Sequence, residues 1–167
     1  MKILMTQLTL RPLRSSDLKT FLTWASDPEV TRSLMWDHYT SEDEASRFLK
    51  NVAEKHPWFM AICLDGTPVG AITLDQKTGS GICRAELGYV VAKKFWGKGL
   101  ATAASKIALD RGFADLGVER IEALVDPDNE ASIKVLENSG MVREGVLRNY
   151  LVHRSKVRDR YIYAKVR

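Results

Sequence analysis

Apolar positions first alternate along the chain, then recur at helical spacing, then alternate again. In "TQLTLRPL", Leu8 and Leu10 fall on one side, which predicts a strand ended by Pro12. "SSDLKTFLTWAS" opens with Ser and Asp. Its Leu18, Phe21, Leu22 and Ala25 follow i, i+3, i+4, i+7, so a helix is expected as far as Asp27-Pro28. "TSEDEASRFLKNV" starts on a capping signal at Thr40 or Ser41 and turns Ala45, Phe48, Leu49 and Val52 to one face. The period then drops to two. "WFMAICLD" and "PVGAITLD" read as a hairpin joined at Gly66-Thr67 beside Asp65, and "ICRAELGYVV" follows after the turn "KTGSG". A helix with Leu100, Ala103, Ala104, Ile107 and Ala108 on one face runs to a C-cap near Gly117. "RIEALVD" is a strand, and "NEASIKVLENSG" a short helix with Ile133, Val135 and Leu136 inward. "MVREGVLRN" and "VRDRYIYAKV" are two closing strands.

The order is therefore β-α-α-β-β-β-α-β-α-β-β. A strand, a crossover helix and a strand in the middle imply a right-handed parallel βαβ unit, and the meander before it is antiparallel. The expected class is α+β: one mixed, mostly antiparallel sheet with helices on both faces. No internal repeat, linker or low-complexity stretch interrupts the chain, so one domain spanning 1–167 is expected.

Composition narrows the function classes. A length of 167 residues suits a domain with a sizeable core, and 45% apolar with 28% charged residues excludes disordered and fibrous classes. No apolar run approaches the ~20 residues of a membrane span. "MKILMTQLTLRPLR" has too short an apolar run for a signal peptide, so a cytoplasmic protein is expected. Cys63 and Cys83 show no CxxC spacing and no His neighbours. They read as buried free thiols, and no metal is expected. The net charge of +4 gathers towards the C-terminus, from Arg143 to Arg167. Such a tail could meet phosphate or an acidic partner; a solvated strand face is the simpler reading.

"FWGKGLATAASKIALDRGF" places Gly97 and Gly99 where a helix begins, although Ser, Thr, Asp or Asn would cap better. Either the turn is tight, or a ligand approaches the backbone. The first amides of a helix lack internal partners and carry the positive end of the macrodipole, which suits an anion. Lys93, Lys94 and Lys98 add charge nearby. A Walker A loop is absent. A dinucleotide fingerprint fails because Thr102 stands at its third small-residue position and Asp126 comes too late.

The run Trp96-Gly97-Lys98-Gly99-Leu100-Ala101 resembles the pyrophosphate loop of the GNAT superfamily of acetyl-CoA-dependent N-acetyltransferases, [Q/R]-x-x-G-x-[G/A]. Gly99 and Ala101 match it, and Trp96 replaces Gln or Arg. The element order resembles the GNAT fold along nearly the whole chain. "WGKGLATAA" and "NEASIKVLENSGM" resemble the branch of ribosomal-protein alanine N-terminal acetyltransferases. The resemblance implies acetyl-CoA as co-substrate. Its pyrophosphate would lie on amides of Gly97, Lys98, Gly99, Leu100, Ala101 and Thr102. Its pantetheine arm would pair with Tyr89, Val90 and Val91, where this strand splays from "RIEALVD". Asn129 would bond the arm, or cap its helix, or both.

The implied chemistry is attack of an amine on a thioester. Glu86 could activate a water beside the amine, or be a structural carboxylate. Ser132 could protonate the departing thiolate, or be a polar residue in a first helical turn. The tyrosine acid of many superfamily members is Leu136 here, and a hairpin carboxylate of some branch members maps near Leu151. Trp36, Asp37 and Tyr39 between the first two helices, with Tyr150 in the last hairpin, are candidate acceptor contacts. His38, His56 and His153 carry less weight, and His56 should be exposed. The resemblance favours a protein N-terminal amine. A polyamine, amino sugar or amino acid, or a CoA-binding sensor without turnover, are the alternatives. A nucleic-acid module rests only on the basic tail. No nucleic acid or membrane partner is expected, and the protein would be a monomer or homodimer.

Overall fold

The computed structural model describes residues 8–167. Thr6 and Gln7 of the first predicted strand, and the N-terminal stretch considered for a signal peptide, lie outside them. The elements are β1 (Leu8–Pro12), α1 (Leu18–Ala25), α2 (Pro28–Thr31), α3 (Glu42–Phe48), β2 (Phe59–Leu64), β3 (Thr67–Gln76), β4 (Arg84–Val91), α4 (Leu100–Leu116), β5 (Arg120–Val125), α5 (Glu130–Asn138), β6 (Val142–His153) and β7 (Lys156–Val166). The seven strands form one mixed sheet in the order β1-β2-β3-β4-β5-β7-β6. β4 and β5 are parallel across the α4 crossover, as expected. The ladders β1–β2, β2–β3, β5–β7 and β6–β7 are antiparallel. Among the described residues no helix is long and apolar enough to cross a membrane.

The chain forms two compact units. One runs up to Thr73 and adds Tyr89–Ala104; the other comprises Leu74–Gly88 and Ser105–Arg167. In the first unit, large helix side chains meet small strand side chains. Phe21, Trp24 and Ala25 of α1 and Ala45 of α3 share a core with Ala61, Cys63 and Ala71 of β2 and β3. Large residues against small ones let helix and sheet approach closely and fill the space. Leu18 and Leu22 pack at the edge of this core, and Trp24 is fully buried.

Several local expectations change. Asp27-Pro28 does not simply end a helix. Asp27 caps the short α2, accepting from the Glu29 amide at 2.9 Å, and Pro28 opens it. α3 continues into a π-helical turn at Leu49–Ala53, closed by the Glu54 amide on the Leu49 carbonyl. The wider turn shifts the inward face by one residue, so Ala53 is buried and Val52 is exposed. The β2–β3 turn is Asp65-Gly66, both with positive φ, rather than Gly66-Thr67. Cys63 is buried as expected, and burial pushes its thiol pKa up. Cys83 is exposed because it precedes β4 instead of lying within it. His56 is half-buried: its Nδ1 accepts from the Trp58 amide at 3.1 Å, and its ring meets Phe59 edge-on.

In the second unit, β5 is flanked by β7 over all six of its residues, and Tyr163 is buried with its hydroxyl donating to Glu137 at 3.0 Å. Two arginines of β7 are engaged in ion pairs. Arg158 bonds Asp126 and Asp128, and Arg160 reaches Asp126 at 3.1 Å. Burial acts to raise the Asp126 pKa, but the Arg158 hydrogen bonds and both guanidinium charges outweigh it and hold it low. Arg120 bridges Glu122 and Glu144. Arg158 and Arg160 of the basic tail are thus paired, from β7, with acids that follow β5.

Candidate active site

β4 runs from Arg84 to Val91, and a one-turn 3-10 segment, Lys93–Phe95, leads into the glycine loop. Gly97 and Gly99 have φ of 71° and 77°, the left-handed region that side chains strain to adopt. A Cβ on either would meet nothing within 4 Å. Backbone conformation, not crowding by neighbouring protein atoms, therefore calls for glycine at both positions, and the open surface leaves the amides approachable. The first bond of α4 runs from the Ala103 amide to the Gly99 carbonyl, 3.0 Å. The amides of Leu100, Ala101 and Thr102 precede that ladder, as the first turn of any helix requires.

Trp96, the departure from the expected loop pattern, has a defined partner. Its indole N–H donates to the Val91 carbonyl at 2.7 Å. The loop is thereby tied to the last residue of β4. Indole N–H groups seek an acceptor, and this is the only signal the sequence carried for that contact. Lys94 and Lys98 both lie over the Phe95 ring, 5.0 and 5.2 Å from its centroid, while Lys93 pairs with Glu29.

Trp36 and Tyr39 also lie in the first unit, their rings 5.6 Å apart. They are less available than a loop position suggests. Tyr39 packs against Phe21 and Phe48 at the margin of the core, and its amide donates to the Ala25 carbonyl. Burial, then the Glu44 charge, push its hydroxyl pKa up to about 12. Asp37 and His38 are exposed beside them.

The second unit carries the other candidates. The parallel ladder joins Arg84–Glu86 to Arg120–Glu122, three residue pairs of an eight-residue strand. Glu86 Oε2 accepts from Lys77 Nζ at 2.7 Å. Burial acts to lower the Lys77 pKa, and the bond and charge of Glu86, with Asp75, outweigh it and raise it. The sequence reading missed this lysine, which sits outside any motif and reaches Glu86 from just beyond β3. Asn129 caps α5: its Oδ1 accepts from the Ser132 amide at 3.1 Å. The cap uses the side-chain oxygen and leaves Nδ2 as the group to offer a ligand. Ser132 is half-buried in the first turn, and Leu136 is buried one turn on. Tyr150 is exposed on β6.

The family model for the acetyltransferase (GNAT) domain matches residues 7–142. The chain belongs to that family. It is an acetyl-CoA-dependent N-acetyltransferase, and its fold is the GNAT fold. This GNAT enzyme is 32% identical to the N-acetyltransferase p20 of Bacillus licheniformis, over 95% of this chain and 92% of the relative. It is 30% identical to the spermidine N(1)-acetyltransferase of Escherichia coli K12, over 83% of this chain and 74% of the relative. Among solved structures, Mycobacterium smegmatis RimJ in complex with CoA-disulfide is 30% identical, with a TM-score of 0.77 over 95% of this chain and 81% of RimJ.

Proposed function

We propose that this GNAT enzyme acetylates the α-amino group of a protein or peptide. The observation that carries the reading is its pair of motifs, a Trp-Gly-x-Gly loop opening α4 and an N-x-x-S helix capped by its own Asn. Both match the ribosomal-protein alanine acetyltransferase branch, and the similarity to RimJ supports it.

The residues divide by chemistry. Amides of Gly97 to Thr102 take the pyrophosphate, with Lys98 adding charge. Tyr89, Val90 and Val91 pair with the pantetheine arm through their backbone. Asn129 donates its Nδ2 hydrogens to the arm. Trp36, Asp37, Tyr39 and Tyr150 contact the acceptor, Asp37 as the carboxylate for its ammonium. The acceptor enters as an ammonium and loses one proton through water to Glu86. Its nitrogen then forms a bond to the thioester carbonyl carbon. The carbon–sulfur bond breaks, and the CoA sulfur leaves with the electron pair and takes the Ser132 hydroxyl proton, while the second proton shed by the acceptor nitrogen restores that hydroxyl. The products are an amide, CoA thiol and one proton passed to solvent. An α-amine with a pKa near 8 is far easier to deprotonate than a lysine near 10.4, which favours a chain terminus. The chain acts as one catalytic domain, and the family match over residues 7–142 includes segments of both units. A cytoplasmic location goes with this reading.

The second reading is a small amine. The 30% identity to a spermidine acetyltransferase favours it, as do the exposed acids Asp37, Glu42, Asp43 and Glu44, which suit a polycation. Competition separates the two. An alanine-starting peptide, spermidine and an aminoglycoside are mixed at equal concentration with acetyl-CoA, and products are read by mass spectrometry. Acetylation of the peptide α-amine is expected. Exclusive acetylation of the small amines transfers the assignment to the second reading.

A further inference from the structure

Gly70 lies inside β3, where glycine weakens a strand. Its φ is not left-handed, so no turn requires it. The requirement is spatial. A Cβ at residue 70 would stand 2.1 Å from Val90 O, 2.9 Å from Val91 Cα and 3.1 Å from the Val90 carbonyl carbon. All three are backbone atoms of β4, so no rotamer change could relieve the clash.

The register shows how the strands come so close. β2 and β3 pair Ile62 with Gly70 and then Cys63 with Pro68, which leaves Val69 as an extra residue, a β-bulge. The Val69 carbonyl accepts from the Ala92 amide at 2.8 Å. Next to it, the Val90 carbonyl occupies the place a side chain on residue 70 would take. In a trans peptide the N–H points opposite to the C=O, so this carbonyl also fixes the direction of the Val91 amide.

We infer that Gly70 is a positioning residue for acetyl-CoA. Its bare Cα lets the Val90–Val91 peptide take the orientation in which Tyr89–Val91 presents its backbone to the pantetheine arm. The inference rests on the proposed pairing of the arm with that strand. Any side chain at residue 70 rotates or displaces this peptide, although it touches no ligand itself.

The test is CoA affinity by calorimetry in Gly70→Ala, with Gly112→Ala as control. Gly112 of α4 is also crowded, but by side-chain atoms, Leu74 Cδ1 at 2.3 Å and Ile121 Cδ1 at 3.0 Å. Gly70→Ala is expected to weaken CoA at least tenfold. Gly112→Ala is expected to lower Tm while keeping CoA affinity within twofold. Wild-type affinity in folded Gly70→Ala, or equal affinity losses in both variants, overturns the inference. If Gly70→Ala does not fold, amide-resolved hydrogen exchange on the wild-type chain decides. CoA should protect the Val91 amide; protection of Tyr89 without Val91 overturns the inference. No protection anywhere in Tyr89–Val91 overturns the arm pairing and the inference with it. Protection there together with unchanged affinity in Gly70→Ala overturns the inference alone.

Discussion

The Trp96 indole N–H donates to the Val91 carbonyl at 2.7 Å, so the loop that follows β4 is fastened to the strand it leaves. The residue is 48% exposed and contributes little to the core. Trp96→Phe keeps a ring and removes the donor. A hydrogen bond of this kind is worth on the order of 1 kcal/mol, which is about fivefold in an equilibrium. Calorimetry should show CoA affinity falling by about that factor, with little change in Tm.

Ser132 and Glu86 are assigned to proton transfer, so their variants should separate turnover from binding. Ser132→Ala should lower kcat by roughly 100-fold, within the range for general acid–base groups, and leave CoA affinity unchanged. Glu86→Gln should slow the reaction most at and below neutral pH, where the acceptor is protonated. The variant also removes the partner of Lys77, so its Tm must be followed alongside. Rates equal to wild type across pH in both variants would make these residues structural.

Asn129 offers two chemically separable groups. Asn129→Asp keeps the oxygen that caps α5 and removes the Nδ2 donor; it should retain Tm and weaken CoA binding. Asn129→Ala loses both, and should also cost about 1 kcal/mol of stability, the usual value of an N-cap. Thermal unfolding beside calorimetry reads the two effects apart.

Asp17 carries a pH dependence of stability. Burial acts to raise its pKa, but two Arg11 hydrogen bonds at 2.8 Å, the Arg14 amide at 3.0 Å and the arginine charges outweigh it and hold it low. The native carboxyl thus binds a proton less readily than the unfolded one. Its contribution is full above the unfolded value of about 3.9 and is lost as pH falls through the lower native value. Asp17→Asn should lower Tm by roughly 5 °C at pH 7, from a loss of about 1–3 kcal/mol. The gap between variant and wild type should close towards pH 2.

What was legible depended on the range of the interaction. The i, i+3, i+4, i+7 pattern of Leu18, Phe21, Leu22 and Ala25 predicted α1 because helical contacts are local. Parallel pairing of β4 with β5 followed from the helix between them. Val52 was misplaced because a π-turn leaves no trace in periodicity: it trades Val52 for Ala53 at the core without changing the apolar count. Cys83 was misplaced because it sits at the edge of β4, where a pattern cannot say which residue begins the ladder. His56 lies in a loop as expected, and its exposure was misjudged because its contact with the Phe59 ring is made only in the folded loop. In the candidate site, the glycines were visible as residues, and their positive φ answers half of the question they raised. The Lys77–Glu86 pair and the Trp96 tether were not visible. Lys77 and Glu86 come near only once β3 and β4 have formed, and the Trp96 indole reaches the carbonyl five residues back only in the particular path the loop takes.

The loop itself is the most direct test. Gly99→Glu places a negative side chain, in strained left-handed backbone, where the pyrophosphate is proposed to meet the amides of Leu100, Ala101 and Thr102. Calorimetry of wild type and Gly99→Glu with CoA, after circular dichroism has verified that the variant is folded, should show binding in the first and none measurable in the second. A folded Gly99→Glu that binds CoA as tightly as wild type would contradict the account.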